Sequence, residues 1–211
     1  MLLHYSPLLL ALAASSLTAS AETTDQYAIN FDKTQTITYN GRQLRNVSLQ
    51  SSDGHQSHAV GTRLVYNDLT ANSFTALPGD VVKISLDYQT GATPWMHSYV
   101  YVDLNKDGKF AEDELLSYSY SKGKNSLGQS IANGAAGAGN SLQPPTFQLA
   151  KDLAEGQYRM RVKVDWDNVD PAGAKGEDGT VTGTNGIVTN GGAIADFTLH
   201  VHPTALPQMA L

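Results

Sequence analysis

Residues 158–167 read YRMRVKVDWD, and their strict alternation decides the fold class. Tyr158, Met160, Val162, Val164 and Trp166 fall on one side of an extended chain. Arg159, Arg161, Lys163, Asp165 and Asp167 fall on the other. Successive side chains of a strand point to opposite faces, so the pattern predicts a β-strand with one face in a core and one in water. VVKISLDY, residues 81–88, likewise turns Val82, Ile84, Leu86 and Tyr88 inward, and IADFTLHV, residues 194–201, turns Ala195, Phe197, Leu199 and Val201 inward. Weaker strands are expected at 29–31, 36–39, 47–50, 63–66, 115–120 and 146–149, while helical periodicity is scarce. LPGD at 77–80, YNGR at 39–42 and AEGQ at 154–157 supply turn chemistry between these runs. The expectation is an all-β domain, a two-sheet antiparallel β-sandwich of Ig-like or jelly-roll-like type. Two long glycine-rich segments, 123–145 and 171–192, are expected as loops of that sandwich. Binding loops on a rigid scaffold and simple slack both have this composition.

The ends of the chain read differently. Residues 1–21 combine an apolar run at 8–14 with small residues closing on Ala19-Ser20-Ala21, the pattern of a cleaved export signal. That run is far short of the ~20 residues needed to span a bilayer, and no later segment is apolar enough to do so. The expected organisation is a signal peptide at 1–21, a sandwich domain at 22–202 and a tail at 203–211. The mature protein would begin near Glu22 and be secreted, periplasmic or at the cell surface. The absence of cysteine excludes disulfides, a thiol nucleophile and thiolate metal sites. A net charge of −6 argues against nucleic acid, whose phosphates require a basic face.

The acidic residues concentrate in two places. Asp103, Asp107, Glu112, Asp113 and Glu114 lie in one segment; Asp165, Asp167, Asp170, Glu177 and Asp178 lie in another. The first, DLNKDGKFAEDE at 103–114, has the letter pattern of a calcium loop. Asp103, Asn105 and Asp107 can turn alternate side-chain oxygens onto one point, and Gly108 permits the sharp turn. Lys109 offers its carbonyl, and Glu114 can close the site with two oxygens. The segment before it reads as a strand rather than an entering helix, so the expectation is a calcium loop set between strands, fixing a turn. The alternative is an acidic β-turn. Asp165, Asp167 and Asp170 could form a second cation site or share the first; equally, they could pair with Arg159, Arg161 or Lys163 at a strand end.

Three blocks carry a family resemblance: YVYVDLNKDGKFAEDELL at 99–116, FQLAKDLAEGQYRMRVKVDW at 147–166 and GGAIADFTL at 191–199. Together they resemble the GEVED domain, a β-sandwich module of secreted bacterial proteins, over roughly residues 60–202. WMHSYVYVD, DPAG and NGGAIADFTLHVH further resemble the accessory domain of secreted glycoside hydrolases. The resemblance implies a non-catalytic binding or spacer module. Where the family has Gly-Glu-Val-Glu-Asp-Tyr, this chain has Gly192-Ala193-Ile194-Ala195-Asp196-Phe197, keeping only the glycine and the aspartate. No role of the two glutamates carries over.

A possible ligand surface follows from the strand at 97–102. If Ser98, Val100 and Val102 face the core, His97, Tyr99 and Tyr101 share the other face, with Trp95 nearby and Tyr118 and Tyr120 as a second pair. Exposed rings there would stack on sugars; the alternative is a second core layer with the hydroxyls satisfied at its rim. His200 and His202 share a strand face, but no third zinc ligand accompanies them, and His55 and His58 lie in a polar stretch. There is no G-x-S-x-G, no H-E-x-x-H and no phosphate-binding glycine loop, so the chain reads as a non-enzyme. The expected function is a secreted, calcium-stabilised accessory module engaging a glycan or cell-surface polymer. The alternative is a structural subunit or adhesin-like component of a surface assembly.

Overall fold

The structure is a computed structural model that describes residues 26–37, 43–88, 96–121, 123–131, 143–165, 168–173, 175, 178–180, 182–184, 186–190 and 192–203. The signal segment, the YNGR turn, Trp95, Trp166, Asp167 and most of the tail lie outside these residues. The described residues form nine strands, in chain order β1 (Leu44–Ser51), β2 (Gly54–Ala59), β3 (Tyr66–Ala76), β4 (Val81–Tyr88), β5 (His97–Val102), β6 (Leu115–Tyr118), β7 (Phe147–Gln148), β8 (Gly156–Asp165) and β9 (Ala193–Val201). Among the described residues, helix is confined to a 3-10 turn at Glu112–Glu114 and a single turn, α1, at Ile187–Asn190.

The strands assemble into two sheets, one ordered β2-β1-β4-β7 and the other β3-β9-β8-β5-β6. The protein is an all-β sandwich. One pairing departs from the antiparallel expectation: β3 runs parallel to β9, from Tyr66 opposite Ile194 to Ala76 opposite Val201. β3 and β9 are far apart in the chain and no hairpin joins them, so no local constraint fixes their relative direction. The alternation that identifies each strand carries no information about its neighbour's sense.

Between the sheets, Leu44, Val47, Leu49, Val82, Ile84 and Leu86 of one face Phe74, Val100, Met160, Val162, Phe197 and Leu199 of the other in one buried cluster. Phe74 and Phe197 meet edge-on at 5.1 Å, and the His58 ring meets Phe74 edge-on at 4.6 Å and stacks on Phe197 at 6.1 Å. The LPGD turn forms as its residues dictate. Gly79 takes φ +81°, and the Asp80 carboxylate accepts the Leu77 amide at 2.8 Å and the Ser52 hydroxyl at 2.7 Å. β3 starts where the expected 63–66 strand ends, sharing only Tyr66 with it, and β2, an edge strand with one half-exposed face, carries too little apolar character to be read from sequence.

The outer face of the five-stranded sheet differs from expectation in a way that matters for function. Arg161, Lys163 and Asp165, expected in water, are 1%, 0% and 0% exposed. The expected strand at 29–31 is absent; residues 27–31 instead cross this face together with 168–173. The strap and the loop are stitched to each other by the Asn30 amide bonded to the Ala172 carbonyl at 2.9 Å, and by the Asn30 side chain bonded to Asp170. Beneath them lies a second, polar-lined layer. Arg161 donates to the carbonyls of Tyr27, Ala28 and Pro171 at 3.0–3.2 Å, and Lys163 to those of Asn168 and Asp170.

Candidate functional site

The acidic loop starts where β5 ends. The Asp103 amide still pairs with Arg159 of β8 at 2.9 Å, which places its carboxylate at the sheet's end, fully buried. The chain then reverses through Lys106 at φ +60° and Gly108 at φ +82°. A Cβ at Gly108 would lie 2.8 Å from the Gln26 side chain and would require a left-handed backbone, so this position needs glycine. Asp103 accepts the amides of Asp107 and Gly108 at 3.2 and 3.0 Å, Asn105 accepts the Asp107 amide at 2.8 Å, and Asp107 accepts that of Lys109 at 2.9 Å. Glu114, 2% exposed, reaches back across the loop from the 3-10 turn and takes the amides of Leu104, Asn105 and Ala111 at 2.8–3.2 Å.

Three of the five expected ligand residues therefore converge through carboxylates. Ligand oxygens of Asp103, Asp107 and Glu114 lie within 4.8 Å of one another. Asn105 and Lys109 occupy exposed positions of the same turn. Among the described residues no lysine, arginine or histidine forms an ion pair with Asp103 or Glu114. Lys106 of the same loop turns away and sits 4.2 Å over the Tyr158 ring. Each carboxylate oxygen has two lone pairs, so those holding amides can still face a cation. An all-oxygen set with two buried carboxylates outside any ion pair fits a hard divalent ion, calcium above magnesium, since magnesium demands a tighter octahedron.

One contributor to this site is invisible in the motif. Tyr27 donates its hydroxyl to Asp103 at 2.7 Å, while its amide donates to the Gly108 carbonyl at 2.7 Å. Its backbone sits at φ +57°, uncommon for an aromatic residue, with the Arg159 guanidinium 4.4 Å over its ring. Burial, reinforced by the Asp103 carboxylate, pushes the hydroxyl up to about 12, so it remains a donor. Nothing in the sequence near Tyr27 marks it as part of the loop.

Among the described residues, the second acidic segment does not join the first. Asp165 lies 2.9 Å from Lys163 in a buried pair, and Asp170 accepts the Asn30 side chain and the Ala172 amide. Asp167 lies outside the described residues. The largest buried charge network instead centres on Asp196, which receives Arg161 through two bonds of 2.7 and 2.8 Å and the Tyr66 hydroxyl at 3.1 Å.

The expected aromatic ligand surface is not a surface. His97, Tyr99 and Tyr101 do share one face of β5, yet they are 1%, 0% and 2% exposed. Tyr101 donates to the Val169 carbonyl, Lys163 lies over Tyr99, and His97 stacks on Tyr120 at 4.2 Å. They form a second core layer: the 168–173 loop holds Tyr101 directly and Tyr99 through Lys163, and the Tyr120 ring lies against His97. Trp95 lies outside the described residues. His202 bonds Asp53 at 2.5 Å, and its ring lies 6.1 Å from that of His200; the pair forms no metal cluster with other described residues.

Residues 97–200, from the start of β5 through nearly all of β9, match the GEVED domain. The chain carries a GEVED-like domain. No curated protein matches the chain. The GEVED-like region contains the acidic loop and the whole β5-β8-β9 core of the larger sheet, whereas the strap with Tyr27 and all of the smaller sheet except β7 lie outside it. GEVED is an accessory domain family rather than a catalytic one. Its two retained signature residues have clear duties here: Asp196 anchors Arg161, and Gly192 fits where a Cβ would lie 2.6 Å from both Ile187 and the Val164 carbonyl. Ala193 and Ala195, standing in place of the glutamates, are buried. Among the described residues no helix is long and apolar enough to cross a membrane.

Proposed function

We propose that this GEVED-like domain is an exported, non-catalytic accessory module, stabilised by calcium, that engages a glycan or cell-surface polymer. The observation that carries the calcium part is the convergence of buried Asp103 and Glu114 with Asp107, within 4.8 Å, with neither buried carboxylate in an ion pair among the described residues. Amide and hydroxyl donors offset part of the cost of burying these charges, and a divalent ion would offset more of it directly. The ligands are Asp103, Asn105, Asp107, the carbonyl of Lys109, and Glu114. When bound, calcium supplies a fixed cross-link between the end of β5 and the start of β6.

Calorimetry with calcium tests the site: native protein should bind, and Asp103→Ala should not. Absence of heat at millimolar calcium would leave an acidic turn and no more. The binding role is tested on a glycan array probed once with calcium and once with chelator; an array empty under both conditions refutes it. Export predicts that protein recovered outside the cytoplasm begins near Glu22, which amino-terminal sequencing reads directly. Retention of Met1 in such protein would overturn that part.

A further inference from the structure

Beside the calcium-type loop lies an open cavity of about 740 Å³, inside the range of roughly 300–1,000 Å³ typical of small-ligand sites. Tyr101 contributes to its lining from β5. Phe110 and Glu112 from the loop and Tyr118 from β6 line it as well, together with Val169 and Asp170 from the covering segment. Tyr118 is half-buried, and its hydroxyl bonds to none of the described residues. Val169 is one of the few large apolar side chains left exposed, at 41%.

We propose that this groove binds a neutral pyranose oligosaccharide. The proposal rests on the binding-module reading and gives it a place. Pyranoses present apolar C–H faces and a girdle of hydroxyls, so they need a ring to lie on and acceptors beside it. Tyr118 offers the ring; Phe110, whose own ring packs on Arg161, Tyr27 and Tyr101, adds an apolar wall, and the Glu112 and Asp170 carboxylates accept hydroxyl hydrogens. An extended peptide fits less well, because the edge of β6 is already taken at Tyr118. The Ser126 amide donates to the Tyr118 carbonyl at 3.0 Å, and the Tyr118 amide donates to the Ser126 hydroxyl at 3.2 Å. Two carboxylates against one ammonium, Lys124, disfavour a polyanion, and burying them under a lipid tail would strip their hydration. Because Phe110 and Glu112 belong to the acidic loop, calcium would hold the wall that carries them.

The test uses cello-, malto-, manno- and N-acetylchito-hexaose, titrated into calcium-loaded protein by calorimetry, with saturation-transfer NMR to locate the contact. At least one should bind. Tyr118→Ala and Glu112→Gln should each weaken it about tenfold, while Tyr118→Phe should keep affinity within about threefold. Val81→Ala, on the other sheet, should leave it unchanged. A bound oligosaccharide indifferent to both Tyr118→Ala and Glu112→Gln would overturn the groove and leave the module reading standing. Failure of all four sugars, with an array positive only for acidic glycans, would overturn the neutral-sugar assignment alone. An empty array removes the module reading and the groove together.

Discussion

Asp196 illustrates how one side chain can organise a whole face of the sandwich. It is fully buried, pairs twice with Arg161, and through that guanidinium holds the carbonyls of Tyr27, Ala28 and Pro171. Asp196→Ala should strand Arg161 as an uncompensated buried charge and cost about 3–5 kcal/mol in urea unfolding. Pairing it with Arg161→Met should recover much of that loss; a double variant as weak as the single one would mean the pair's geometry, rather than its charge, matters. His97 makes a second case. Burial lowers its imidazole to about 4, from an ordinary value of 6.5, and neither ring nitrogen has a hydrogen-bond partner among the described residues. The unfolded chain therefore takes up the proton first as pH falls. His97 leaves stability intact above about pH 6.5, erodes it as pH falls toward 4, and adds no further loss below. The slope from one such proton is at most ~1.4 kcal/mol per pH unit. His97→Phe should keep the stack on Tyr120 and flatten that part of the stability curve; an unchanged slope would show that another group titrates there.

At the scale of elements, the junction of α1 and β9 depends on a residue with no side chain. Gly192 donates its amide to the Ile187 carbonyl at 2.9 Å and lies against the Val164 carbonyl. Gly192→Ala should cost about 1–3 kcal/mol through overpacking, because the obstructing atoms include backbone that cannot swing aside. Chemical denaturation of that variant beside the native protein reads the cost. β8 shows the limit of periodicity at the same scale. Its inner face was legible residue by residue, but its outer face carries Arg161, Lys163 and Asp165, which a sequence reading assigns to water. Arg161 takes carbonyls from the remote strap and from the 168–173 loop, Lys163 takes two from that loop, and Asp165 pairs with Lys163, none of which local alternation encodes.

For the whole molecule, the acidic loop ties the end of β5, the start of β6 and, through Tyr27, the strap across the larger sheet. A ligand bound only by the native state stabilises it by about 2.7 kcal/mol at a hundredfold excess over its Kd. For a domain of this size that is a rise in melting temperature of roughly 5–10 °C. Calcium should produce it, chelator should reverse it, and magnesium should substitute poorly. A melting curve indifferent to all three would remove calcium from the account of stability.

By itself the sequence determined what is local. The all-β class, the inward residues of β4, β8 and β9, the LPGD turn and the spacing of Asp103, Asn105, Asp107, Gly108 and Glu114 all follow from side-chain period or from turn chemistry within a dozen residues. Tertiary structure decided everything that joins remote segments. It set the parallel sense of β3 beside β9, the hydroxyl of Tyr27 on Asp103, the pairing of Arg161 with Asp196, and the burial of His97, Tyr99 and Tyr101. The physical reason is the same each time. A strand's pattern fixes which side chains share a face, but what finally covers that face comes from parts of the chain whose distance in sequence leaves no periodic trace.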